Sequence, residues 1–246
     1  MSQLIGRSDI EAAATARLSR TIERYRQEIA RLLGADPLAK TIPEARTDAA
    51  WGRMWVEMER DVADDVGVLL VLAWMASAEQ HGLEIIPHDP RAVVFATGRA
   101  ADVARQFVAN TQQRLGSTID GWINAEPSKA QVAADLESIL GPVRAEAVAV
   151  TETTVANSAA ILATVAMMTT GTGTGGKSIW QLGEAEHCPL CVALHGTDET
   201  IWRIFAPNGP PAHVRCACWL NIVPVDATTP RPNMDALRQA AASIGL

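Results

Sequence analysis

The chain has 246 residues, 48% of them hydrophobic but only 4% aromatic, and a formal charge of −7. A chain of this length can bury a sizeable core as one large domain or two small ones, and alanine in place of bulky side chains favours closely packed helices over a β-sandwich. Net acidity argues against a surface that coats nucleic acid broadly, and an N-terminus without a charged start or apolar run argues against a secretory signal, so cytosolic synthesis without stable disulfides is expected.

A first helix is expected from Ser8, a capping residue with Glu11 three positions on, to Gly34 and Pro37, which suit a stop. Ile10, Ala14, Leu18, Ile22, Tyr25, Ile29 and Leu33 recur at steps of three and four and mark its inward stripe. Arg20, Arg24, Arg26 and Arg31 fall mostly off that stripe, on a solvated face. A second helix, about 47–78, places Trp51, Trp55, Met58, Val62, Val66, Leu69 and Leu70 inward, with Trp74 also in the core. Its almost wholly apolar part, 66–77, falls well short of the roughly 20 residues a membrane span requires. A buried helix or a subunit interface is expected there, and no membrane span.

His81-Gly82 and the stretch from Pro87 to Pro90 mark a break. A third helix is expected over 91–122, with Val94, Val103, Phe107, Thr111, Leu115, Ile119 and Trp122 inward and Gly98 and Gly116 as interruptions. A short fourth helix starts at Pro127-Ser128 and ends at Gly141-Pro142; a fifth, rich in small side chains, runs from Pro142 to about Thr170. Four glycines among the six residues 171–176 favour a flexible linker. Beyond it, Ile201–Phe205 and Trp219–Val225 read as short strands, 226–232 as loop and 233–244 as a last helix. The expected fold is therefore mainly α: a long-helix N-terminal region followed by a small, irregular α+β module rich in Cys and His. Its segments are 1–86, helical; 87–170, also helical; 171–176, linker; 177–225, Cys/His-rich; and 226–246, tail.

Gly171 to Ser178 matches G-x-x-x-x-G-K-S, a phosphate-cradling loop in which glycine amides and the lysine bind phosphate. That chemistry needs a buried strand before the motif and a helix after it. Here a helical pattern precedes it, and Gly183 and Pro189 leave little room for a following helix. Nucleotide binding is not expected.

All four cysteines fall in one short region, as Cys188-x2-Cys191, then 21 residues, then His213-x2-Cys216-x-Cys218. Zinc takes four thiolate or imidazole ligands in a tetrahedron, supplied as close pairs from two loops. Cys188, Cys191, His213, Cys216 and Cys218 are the candidate ligands and zinc the candidate ion, with the four thiolates as first choice and His213 as substitute or supporting partner. Three other readings stay open: small buried hydrophobes, disulfides formed outside a reducing compartment, and a redox Cys-Pro-Leu-Cys site, which would need a βαβ setting. His187 and His195 read as structural.

Four stretches resemble a family. R-A-E-A-V-A-V-T-E-T from Arg144 to Thr153, continued by Ala156-Asn157, is similar to an R-x-x-x-I-A-x-T-E-T helix. Lys177 to Trp180 resembles a lysine-tryptophan step, and Cys188 to Gly196 a C-x-x-C-x-x-L-x-G core. Pro210 to Cys218 resembles a closing P-P-x-H-x-x-C-R-C, departing at Ala217, where the family has arginine; Arg215 sits two positions earlier. Together these resemble the phage head morphogenesis, or minor head, proteins of the Mu F-like class. The resemblance spans roughly 144–220, loosely back to about Phe95. It implies a structural virion component without catalysis, joining the head near the portal during capsid assembly in the bacterial cytoplasm. Its partners would be portal and capsid or scaffolding proteins, with contact to packaged DNA. Thr151, Glu152 and Asn157, polar on an otherwise apolar helix, are expected to fix how that helix docks on the cysteine module. The alternative is a zinc-ribbon-like nucleic-acid-binding module on a helical stalk, using Lys177, Arg203 and Arg215 as cations and Trp180, Trp202 and Trp219 as stacking faces.

Overall fold

A computed structural model describes residues 6–35, 49–81, 89–125, 127–171, 175–183 and 186–245. The fold is mainly α. Among the described residues five helices come first: α1 Arg7–Ala35, α2 Ala49–Gln80, α3 Pro90–Ala125, α4 Lys129–Ile139 and α5 Pro142–Gly171. A small mixed region follows: β1 Gly176–Gln181, α6 Pro189–Leu194, α7 Glu199–Trp202, β2 Trp219–Pro224 and α8 Met234–Ser243. Pro37, Gly82, Pro87 and the middle of the glycine-rich stretch, 172–174, lie outside the described residues.

The chain forms two compact units, each drawn from separated segments. A helical unit comprises Ala12–Val68 and Val94–Glu146; a site unit comprises Met1–Glu11, Leu69–Val93 and Ala147–Leu246. The helices α1, α2, α3 and α5 supply residues to both.

In the helical unit the apolar stripes are buried as their periodicity requires. Leu18, Ile22, Tyr25 and Ile29 of α1, and Trp51, Trp55, Met58, Val62 and Val66 of α2, all lie in the core. Removing each such side chain from water contributes about 1.5–3 kcal/mol. Two carboxylates of α2 tie α1 alongside. Asp65 accepts from Arg17 and, at 2.6 Å, from the Thr21 hydroxyl; Asp61 accepts from Arg24 and, at 2.7 Å, from the Tyr25 hydroxyl. Arg24, expected on a solvated face, thus also reaches across to α2. Burial, joined by the Asp61 carboxylate, holds the Tyr25 phenol well above its usual pKa.

Several boundaries and faces differ from expectation. α1 starts at Arg7, with the Gly6 carbonyl accepting from the Ile10 amide at 2.9 Å, so Ser8 lies in the first turn and is not the cap. Gly34 lies inside α1. Val94 is 74% exposed, because Ala92, Ala96 and Ala100 occupy the buried face at steps of four and Val94 falls on the opposite side. Gly98 and Gly116 do not interrupt α3, which runs unbroken for 36 residues; a glycine costs a helix only about 1 kcal/mol. Ser128 does cap α4, accepting from the Gln131 amide. Gly141 is required where α4 ends, since a Cβ there would stand 2.4 Å from the Glu137 carbonyl oxygen.

Arg144, at the start of α5, is largely buried. Its guanidinium donates to the Thr111 hydroxyl at 2.8 Å and to the Ile139 and Phe107 carbonyls at 2.9 Å, and sits 3.8 Å over the Phe107 ring. Burial, with Arg114 adding repulsion, pushes its pKa down to about 10. The stretch 130–169 is long and apolar enough by length and composition to cross a membrane, and 61% of its most apolar window is buried within the protein.

The site unit departs most from the sequence reading. β1 pairs antiparallel with β2, Lys177 opposite Val223 and Trp180 opposite Leu220, and buries Gly176, Ser178 and Trp180 in strict alternation. This strand was not expected. Ile201–Phe205 is not a strand: the Asp198 carboxylate accepts from the Thr200 amide at 3.1 Å and starts the turn α7, which continues as turns through Phe205. A cap decides the local structure there over the β-propensity of isoleucine and phenylalanine. β2 and α8 form as expected, with Asn233 capping α8.

Candidate metal centre

Trp180, Leu190, Leu194, Trp202, Leu220 and Leu237 surround the cysteines in one apolar cluster. Cys188 caps α6, its sulfur accepting from the Cys191 amide at 3.4 Å, and Pro189 occupies the first helical position. That turn directs Cys191 into the core. The second loop, 209–218, ends in a tight turn at Arg215, which adopts a left-handed φ of 63°. Such a conformation costs a non-glycine residue about 1–2 kcal/mol. The Thr151 hydroxyl helps hold it, accepting from the Arg215 amide at 2.9 Å.

Thr151 is the first of a polar stripe on α5. The Thr154 hydroxyl donates to the Cys216 carbonyl at 2.7 Å, and the Ser158 hydroxyl to the Pro210 carbonyl at 2.6 Å. The Asn157 carbonyl oxygen accepts from the Leu220 amide at 3.2 Å, and its amide donates to the Ser77 hydroxyl at 2.9 Å. Positions 151, 154, 157 and 158 share one helical face, so α5 holds the main chain of the second loop and the start of β2, from Pro210 to Leu220. Thr151 and Asn157 do what was expected of them, and Glu152 is buried on the same helix. Thr154 and Ser158 were missed, although their spacing of three and seven from Thr151 was visible in the sequence.

All five candidate ligands gather. Cys188, Cys191 and His213 form one group and Cys191, Cys216 and Cys218 another, each with its donor atoms within 4.8 Å of one another. Cys191 is common to both, and Cys188 groups with His213 rather than with the other two thiols. Cys191 Sγ stands 3.7 Å from Cys216 Sγ and 3.7 Å from His213 Nε2. Donors about 2.3 Å from a shared ion at tetrahedral angles stand roughly 3.8 Å apart, whereas a disulfide holds sulfurs about 2.05 Å apart. All four cysteines are free thiols. The imidazole of His213 is oriented for ligation. The Val214 carbonyl, 2.9 Å from Nδ1, can only accept, so the proton lies on Nδ1 and the Nε2 lone pair faces Cys191.

The three buried sulfurs perturb one another. Hydrogen bonds from Cys191 and then Cys218 pull the Cys216 thiol down to about 2. Bonding to Cys216, then to Cys218, together with burial pushes Cys191 up. Cys218 is drawn down by Cys191, but Cys216 and burial outweigh that and raise it to about 12.

The other expected features are placed as follows. Lys177 Nζ donates to the Ala227 carbonyl at 2.5 Å and lies 3.6 Å from Asp198; the Ser178 hydroxyl donates to Glu199 at 2.9 Å. Both residues lie in β1, not at the loop-to-helix step a phosphate cradle uses. Trp180 and Trp202 are fully buried and Trp219 nearly so, and thus none offers an open stacking face. Among the described residues the sheet is two-stranded and antiparallel, unlike the βαβ setting of a thioredoxin-type Cys-x-x-Cys. His195 is exposed at the end of α6.

No protein-family model matches the chain, and no match was found among curated proteins or among solved structures.

Proposed function

We propose that the chain is a non-enzymatic structural component of a phage head, a minor capsid protein acting in head morphogenesis near the portal, with a Cys/His module closed by zinc. The observation that carries this reading is a convergence. Three stretches that resemble minor head proteins, far apart in the chain, meet in one place. The T-E-T helix holds the closing P-P-x-H-x-x-C loop through Thr151 and Thr154, and the C-x-x-C turn faces that loop through Cys191. The polar groups of the motif bind main chain, which suits a scaffold rather than a catalyst.

The donor set supports zinc as the ion. Thiolates with imidazole at tetrahedral spacing suit Zn²⁺ over oxygen-seeking ions, and an ion that joins two loops contributes directly to folding. The partners under this reading are portal and capsid or scaffolding proteins, with contact to packaged DNA, and the location is the virion. Mass spectrometry of purified virions tests it. The chain is expected at low copy number, co-purifying with portal protein; virions that lack it would contradict the assignment.

A further inference from the structure

Two overlapping groups share Cys191, and each supplies three of the four donors a tetrahedral ion takes. One group is half open, with Cys188 and His213 both partly exposed. The other is closed: Cys191, Cys216 and Cys218 are buried, at 0–2% exposure. A fourth donor stands beside one sulfur of the closed group, outside the 4.8 Å grouping itself. His187 Nδ1 lies 3.9 Å from Cys218 Sγ, while its Nε2 lies 2.9 Å from the Gly183 carbonyl. A carbonyl only accepts, so the proton sits on Nε2 and the Nδ1 lone pair faces Cys218 Sγ. This is the arrangement of a ligating histidine pinned through its far nitrogen.

The pin is itself built into the backbone. A Cβ at Gly183 would stand 2.1 Å from the Ala217 carbonyl oxygen, so only glycine allows the chain after β1 to lie against the Cys216–Cys218 turn. A second observation points to the same place. Trp180 is completely buried, and among the described residues its indole N–H has no hydrogen-bond partner. Leaving such a donor unsatisfied costs about 1–3 kcal/mol. The group lies beside Cys218. A metal-bound thiolate at Cys218 would give that N–H an acceptor.

We propose that His187 is a metal ligand, completing a tetrahedron with Cys191, Cys216 and Cys218, and that the Trp180 indole N–H braces the Cys218 thiolate from outside. Cys188 and His213 then form a rim over the centre. This rests on the metal-bound reading of the module given above.

The test is Zn²⁺ affinity of the reduced full-length chain, measured by competition with a chromophoric chelator. His187→Ala is expected to lower affinity by more than about 100-fold, and Trp180→Phe, which removes the bracing donor, by about 10–100-fold. His213→Ala is expected to stay within about tenfold of the parent. His187→Cys, which puts a thiolate in the imidazole's place, is expected to bind and guards against a simple folding defect in the alanine variant. Parent-like binding by His187→Ala, or loss of binding in His187→Cys, would overturn the proposal while leaving a metal centre in place. A parent chain that binds no Zn²⁺ overturns the proposal and the metal reading together.

Discussion

α1 and α5 are helices of nearly equal length held in different ways. α1 presents Leu18, Ile22, Tyr25 and Ile29 on one apolar stripe, with arginines and glutamates on the other side. α5 buries Glu152, Thr153, Thr154, Asn157, Ser158 and Thr164 among alanines, and shows almost no amphipathic pattern. Thr153 and Thr164 satisfy themselves on carbonyls one turn back, at 2.8 Å each. Thr154 and Ser158 instead reach the loop that carries Cys216, and Asn157 the strand β2 that follows it. Apolar burial is non-directional and tolerates sliding, whereas a hydrogen bond to a particular main-chain atom sets a register. α1 relies mainly on adhesion, fastened to α2 at Asp61 and Asp65, and α5 on alignment, which is what a cluster of donors a few ångströms apart requires.

The contrast can be broken from either side. The largest effect is expected from Cys191→Ser, since Cys191 belongs to both donor groups. Structural zinc is worth about 10–16 kcal/mol in small zinc modules. Loss of the metal and of cooperative unfolding of the site unit is therefore expected, read by elemental analysis and near-ultraviolet circular dichroism. Met58→Ala, in the fully buried centre of the helical unit, is expected to cost about 2–5 kcal/mol. Chemical denaturation with and without a chelator should show that loss to be metal-independent. Asn157→Ala strands the buried Leu220 amide and the Ser77 hydroxyl; a loss of about 2–4 kcal/mol is expected in the same assay, with weaker metal retention. Unchanged retention would mean that α5 does not align the site. The smallest effect belongs to Val94→Ala, expected within about 0.5 kcal/mol because Val94 is exposed.

The same contrast explains what could be read in the sequence. Period-3.6 stripes identify adhesive helices, so α1, α2 and most of α3 were legible down to single residues. Val94 failed because alanines, weak as hydrophobic markers, carry the buried face at 92, 96 and 100. The Cys and His spacing was legible because chelating pairs must be close in the chain. The grouping of Cys188 with His213, and the approach of His187 to Cys218, depend on how loops from different elements meet, which linear spacing does not encode. β1 was hidden by its glycine-lysine-serine start, and α7 by β-branched residues that an aspartate cap overrules.

The most direct test of the metal-closed module combines elemental analysis with thermal unfolding of the reduced, full-length chain. About one equivalent of zinc per chain is expected, and chelation should lower the melting temperature of the site unit while leaving that of the helical unit in place. A metal-free chain whose melting is unchanged by added zinc or by chelator would contradict the account.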